Sequence, residues 1–266
     1  MLRHHFTRTF ALLFSSVVLF SAASRAADET PTPDAKSDAN QIPQWGLWQD
    51  PDADCKYVVE KKKLTLTVPG WEHDLSAERV KMNAPRIIQE GGADFAIQVK
   101  ISGDFKPGGP VAPNRPAYQG AGVFIMLDNR NYIRLERAAY VKPNTTQPIH
   151  IMSFEARLNG AVQRFGAAPD NRVEANTPLY FRMERHGKKV YGAVSQDGEE
   201  WQVLDIKTLS DAPKLTTGIF AVNLSTNEFQ PRFEEFKVEE LEPIVEETEA
   251  EEEAPVKKLP PKRKKK

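Results

Sequence analysis

Residues 120–140 read GAGVFIMLDNRNYIRLERAAY: a strand, a tight polar turn and a returning strand. Val123 to Leu127 is apolar at every position, the pattern of a strand covered on both faces. Asp128-Asn129-Arg130-Asn131 is turn chemistry, because Asn and Asp side chains bond neighbouring backbone groups. The return strand alternates. Ile133 and Leu135 point one way, and Tyr132, Arg134 and Glu136 point the other.

The same alternation recurs outward from this hairpin. Leu64 to Val68, Phe95 to Ile101, Tyr180 to Arg185, Val190 to Ser195, Ile219 to Leu224 and Phe233 to Val238 read as strands. His150 to Leu158 meets Ala161 to Phe165 across Asn159-Gly160, a type I′ hairpin signal. No stretch sustains helical periodicity; Ser76 to Met82 comes nearest and lacks an apolar stripe. Many short strands predict an all-β, two-sheet antiparallel sandwich over residues 45–241. Two long loops interrupt it, Gly70 to Arg86 and the Pro- and Gly-rich Gly103 to Gly120. Loops of that length are often functional.

The termini differ in composition from this core. Met1 to Ala26 has a basic start, an apolar run from Phe10 to Phe20 and Ser24-Arg25-Ala26, the pattern of a secretory signal. An uncleaved N-terminal anchor is the competing reading. The chain is expected to be exported, to the periplasm or beyond, with no membrane span once the signal is removed. Residues 27–44 read as a disordered linker, and 242–266 as a disordered tail, acidic and then basic. That tail reads as a solubilising extension, with contact to an anionic surface through Lys262 to Lys266 as the alternative. Residues 45–238 hold 25 Lys+Arg against 24 Asp+Glu, so nothing points to nucleic acid. Cys55 is the only cysteine and cannot form an internal disulfide; a small buried apolar residue is its simplest reading.

Several short patterns together resemble the concanavalin A-like lectin/glucanase superfamily, within it the uncharacterised secreted domains also attached to glycoside hydrolases such as β-xylosidases. They are His73-Asp74-Leu75, Asn83-Ala84-Pro85-Arg86 before Ala93-Asp94-Phe95, Gly120-Ala121-Gly122 through Glu136, Ser195-Gln196-Asp197-Gly198 with Trp201, and Phe233-Glu234-Glu235-Phe236. The resemblance implies a jelly roll with one concave sheet and sugars bound in its groove or at its rim. Ser195 to Trp201 is one residue short of an Asp-box and reads as a structural turn.

Tyr132 to Arg137 has a near copy in Tyr180 to Arg185. Extending the alternation predicts one polar face carrying Tyr132, Arg134, Glu136, Ser153, Glu155, Arg157, Tyr180, Arg182, Glu184, Tyr191 and Ser195. Such a face suits sugar hydroxyls and ring faces, or is a solvated sheet of Arg–Glu pairs. Truncating Arg134 or Arg182 should then weaken a ligand and spare the fold. Trp71, His73, Asp74, Asn83, Arg86 and Tyr118 are the rim candidates. Catalysis is not expected. The Glu-x-Asp-x-(x)-Glu strand of glycosidases in that superfamily is missing, and Glu136 and Glu184 should lie too far apart for an inverting pair. Asp50, Asp52 and Asp54 place hard oxygens at alternate positions but lack the Gly and Glu of an EF-hand; a calcium site is the weaker reading there. The expected function is a carbohydrate-binding or surface-interaction module without its own chemistry. A polysaccharide hydrolase or lyase and a structural cell-surface protein are the alternatives.

Overall fold

A computed structural model describes residues 40–164 and 171–243. The signal segment, most of the 27–44 linker and nearly all of the charged tail lie outside the described residues. Strands β1 (Gln41–Ile42), β2 (Gly46–Gln49), β3 (Lys56–Glu60) and β4 (Lys63–Thr67) come first. Short strands β5 (Glu72–His73), β6 (Leu75–Ser76) and β7 (Lys81–Met82), with a 3-10 turn at Ala77–Arg79, occupy the first long loop. Then follow β8 (Arg86–Gly91), β9 (Asp94–Ser102), β10 (Ala117–Asp128), β11 (Asn131–Val141), β12 (Ile149–Leu158) and β13 (Ala161–Arg164). The last five are β14 (Leu179–His186), β15 (Lys189–Ser195), β16 (Gln202–Thr208), β17 (Leu215–Leu224) and β18 (Arg232–Glu240). No α-helix occurs among the described residues, so none crosses a membrane as one.

Two antiparallel sheets pack as a sandwich. One runs β1-β2-β8-β17-β10-β11-β12-β13, with β5 also paired to β17; the other runs β16-β15-β14-β9-β18-β4-β3. Their inner faces share one core. Ile87, Val123, Ile125, Ile133, Leu135 and Ile219 from the first sheet join Leu64, Leu66, Ile97, Val99, Phe181, Met183 and Phe233 from the second. Order begins earlier than Trp45, because Ile42 is carried into this core at 3% exposure. Trp45 itself stacks on Phe236 at 5.1 Å. Asn159 and Gly160 take positive φ, as a type I′ turn requires. Asp128 Oδ1 accepts the backbone N–H groups of Arg130 and Asn131, closing the turn read from the sequence. Ser195 and Asp197 cap their own turn in the same manner.

One expectation fails here. Tyr132-Arg134-Glu136 and Tyr180-Arg182-Glu184 do not share a face, because β11 and β14 belong to different sheets. The apolar partners of both strands meet in the common core, so the two polar triplets lie on opposite outer faces. Glu136 and Glu184 are therefore separated by the thickness of the sandwich, not by neighbouring strands. Alternation tells which side of a strand is apolar, and not which sheet the strand joins.

The inward side also carries charge that the pattern did not reveal. Arg137 and Arg185 occupy core-side positions and are fully buried. Arg137 lies over the Phe105 ring, 4.8 Å from its centroid, and donates to the Thr177 and Glu174 carbonyls. Arg185 donates to the carbonyls of Gly187, Gly92, Ser210 and Ala212. Both guanidinium groups replace water for loop backbone that has no strand partner.

Gly120 shows why the Gly-Ala-Gly run precedes the apolar strand. A Cβ there would sit 2.7 Å from Glu136 Oε2 and 2.8 Å from the Tyr118 ring. The missing side chain lets Glu136 and Tyr118 pack against strand β10. Gly120→Ala is expected to cost about 1–3 kcal/mol, read as a lower midpoint in urea unfolding. An unchanged midpoint would show that Glu136 can move aside.

Candidate functional site

Cross-strand registers define the outer face of the first sheet. One row runs Gln49, Arg86, Phe220, Gly122, Glu136, Ser153; the next runs Leu47, Ile88, Gly218, Phe124, Arg134, Glu155; the third runs Glu90, Thr216, Met126, Tyr132, Arg157. Residues opposite one another across a ladder share a face. This face has two halves, one covered and one open.

The covered half lies beneath residues 72–84. Leu75 and Ala84 pack on Phe124, Met126, Tyr132, Phe220, Val222 and Leu224 as a second apolar cluster. The Leu75 carbonyl accepts from Tyr132 Oη at 2.8 Å and from Arg134 Nη1 at 3.0 Å. Glu78 pairs with Arg157, and Asp74 with Arg115 of the second long loop at 2.7 Å. Arg134 Nη2 lies 3.2 Å from Glu136 and 3.1 Å from Glu155, and Arg157 also pairs with Glu155. Tyr118 donates to Glu136 at 2.6 Å. Arg134, Glu136 and Arg157 are all buried, so this is no solvated sheet.

Charge balance in the network follows from burial. Loss of water pushes the Glu136 carboxyl up, against the pull of Arg134. Burial, then Glu136, pushes Tyr118 well up. For Arg134 burial acts downward, and Glu136 and Glu155 together outweigh it, holding the guanidinium well above its ordinary value. The arginines therefore stay charged.

The open half forms two adjoining clefts. The smaller, of about 420 Å³, is lined by Gln49, Arg86, Ile88, Phe124, Met126, Leu127, Asp128, Asn129 and Thr216. The larger, of about 720 Å³, shares Ile88, Leu127 and Thr216 and adds Gln44, Leu47, Gln89, Glu90 and Lys214 among its walls. Arg86 Nε donates to Gln49 at 2.8 Å, while its buried Nη1 has no partner among the described residues. Burial draws this guanidinium below the usual arginine range, with Tyr132 opposing. Apolar floor and polar rim together suit a ring that carries hydroxyls.

The other expected residues have separate places. On the far outer face, Arg182 binds Glu184 at 2.6 Å and Glu239 at 2.8 Å, Tyr180 donates to Glu235, and Tyr191 packs edge-on to His186. Trp71 stands 63% exposed on the rim. His73 is fully buried beside Asp54, and Asn83 ties Asp52, the Glu72 carbonyl and the Asp74 N–H together. Asp50, Asp52 and Asp54 do not converge. Asp50 accepts the Cys55 N–H, Asp52 binds Asn83, and Asp54 faces His73. One oxygen each of Asp50 and Asp52 is taken up by the chain itself. Cys55 is half-buried rather than fully so, and burial together with Asp50 and Asp54 pushes its thiol up.

The sandwich resembles solved structures at low sequence identity. A functionally unknown protein from Saccharomyces cerevisiae superposes with a TM-score of 0.58 at 16% identity, covering 74% of this chain and 97% of that one. The GH43 BlXynB protein from Bacillus licheniformis gives 0.53 at 16% identity, over 77% of this chain and 40% of that one. This chain thus matches less than half of that protein. The likeness is one of fold. No family model and no curated protein matches the sequence.

Of the rim candidates, Arg86 lines the smaller of these two clefts. Gln49, Thr216 and Asn129 were missed because they come from separate strands and a turn. Met126 and Phe124 belong to the apolar run that reads as covered on both faces, a pattern that does not disclose a cleft beside it.

Proposed function

We propose that this protein is an exported glycan-binding module without chemistry of its own, and that the sugar lies in the open half of the outer face. The carrying observation is the cleft beside Arg86, with Ile88, Met126 and Leu127 as floor and Gln49, Asn129 and Thr216 as hydrogen-bonding rim. The fold shared with a GH43 protein agrees with a carbohydrate role. The carboxylates at the clefts already have partners. In the smaller cleft Asp128 is occupied by the Asn131 amide and by two backbone N–H groups. Glu90, at the larger cleft, pairs with Lys214 at 2.6 Å.

A glycan array and a reducing-sugar assay test the reading together. Thr216→Arg fills the cleft from a half-exposed position without entering the core. Its binding should fall at least tenfold, about 1.4 kcal/mol, with an unchanged melting temperature. Parent and variant binding alike would move the site elsewhere. Reducing-sugar release by the parent would favour the hydrolase alternative instead.

A further inference from the structure

The turn after β2 and strand β5 bring together three side chains of mixed ligand type. His73 Nε2 lies 2.9 Å from Asp54 Oδ1, and Cys55 Sγ lies 3.4 Å from the same oxygen. All three ligating atoms fall within 4.8 Å of one another. Asp54 and Cys55 are neighbours in sequence, while His73 lies 19 residues beyond Asp54 and is brought to them as β5 adds to β17, with His73 paired to Asn223. The turn is braced from both ends. Asp50 accepts the Cys55 N–H at 2.8 Å, Asp52 takes the Asn83 amide at 2.6 Å, and Asn83 in turn holds the backbone on either side of His73. His73 is fully buried and its Nδ1 has no partner among the described residues. Asp54 is 43% exposed, which leaves a path for an ion from solvent.

We propose that Asp54, Cys55 and His73 bind a divalent transition metal of borderline softness, zinc above others. Zinc takes thiolate, imidazole and carboxylate at about 2.0–2.3 Å in a tetrahedron, with water free to fill the fourth corner. Ligand atoms then stand a little more than 3 Å apart, close to the spacing already present. Calcium and magnesium demand oxygen ligands, whereas two of the three atoms gathered here are nitrogen and sulfur. On binding, the thiol proton leaves to solvent, and the imidazole proton moves from Nε2 to Nδ1. Thiolate and carboxylate then balance the two positive charges of the ion. Nδ1 finds no acceptor among the described residues, so affinity should be lower than where a histidine has an outer-shell partner.

The test uses the full chain, stripped with chelator and titrated with Zn²⁺, Co²⁺ and Ca²⁺. One zinc per chain is expected, and the cobalt adduct should show thiolate-to-cobalt charge transfer in the near ultraviolet. Cys55→Ser should remove that band and weaken zinc at least tenfold; Asp54→Asn should also weaken it tenfold. His73→Gln risks the fold, whereas these two positions are partly exposed. Metal-free melting equal to the parent would show that their loss is not unfolding. Zinc affinity unchanged by Cys55→Ser, a cobalt spectrum without the thiolate band, or no zinc bound overturns the proposal. Calcium bound in preference and lost in Asp52→Asn overturns it in favour of an oxygen site.

Discussion

Arg134→Ala is expected to destabilise the fold by about 3–5 kcal/mol, the cost of leaving the fully buried Glu136 carboxylate without its paired cation. Glu136 is fully buried and the Glu155 side chain is 12% exposed, and both lean on the same guanidinium nitrogen. The Leu75 carbonyl loses a donor as well, which loosens the covering segment. For a domain near 200 residues this corresponds to a fall in melting temperature of roughly 10 °C. Arg182→Ala, its counterpart on the opposite face, should cost about 1 kcal/mol or less, because Glu184 and Glu239 keep 29% and 40% of their side chains in solvent. Paired thermal melts decide the matter. Equal losses for the two variants would mean that the covering segment gives Arg134 no special environment.

Arg185→Met should lose at least about 3 kcal/mol while keeping the aliphatic stem. Each charge-assisted bond contributes about 1.5–3 kcal/mol, and four of them, part-buried, end on one guanidinium. Gly92, Gly187, Ser210 and Ala212 belong to three connections around one end of the sandwich. Amide exchange should therefore quicken around residues 92–94 and 209–212 before the core strands open. A variant with wild-type exchange in those segments would show that the loops hold themselves.

Both predictions rest on positions that the sequence treats as ordinary. Arg134 looks like an exposed member of an alternating strand, and only the packing of Leu75 and Glu78 over it makes it buried. Arg185 closes an alternating strand on its apolar side, where a charge reads as a boundary. The metal-ligand group was hidden in the same way. Cys55 and His73 have no motif spacing, and the pairing of β5 with β17 supplies what the spacing lacks.

The amino-acid order by itself determined the local elements: the 120–140 hairpin, the Asn159-Gly160 turn, the Asp197 turn, and hence an all-β sandwich. These depend on side-chain alternation and on turn residues, which act over a few positions. Tertiary structure alone decided which strands share a sheet, and so set Tyr132-Arg134-Glu136 and Tyr180-Arg182-Glu184 on opposite faces. It also decided which half of the outer face is covered, leaving Arg86 at the cleft and Arg134 beneath Leu75. The physical reason is that sheet partnership and loop cover arise from contacts between distant segments, where burial and hydrogen-bond satisfaction over the whole molecule choose among strands that locally look alike.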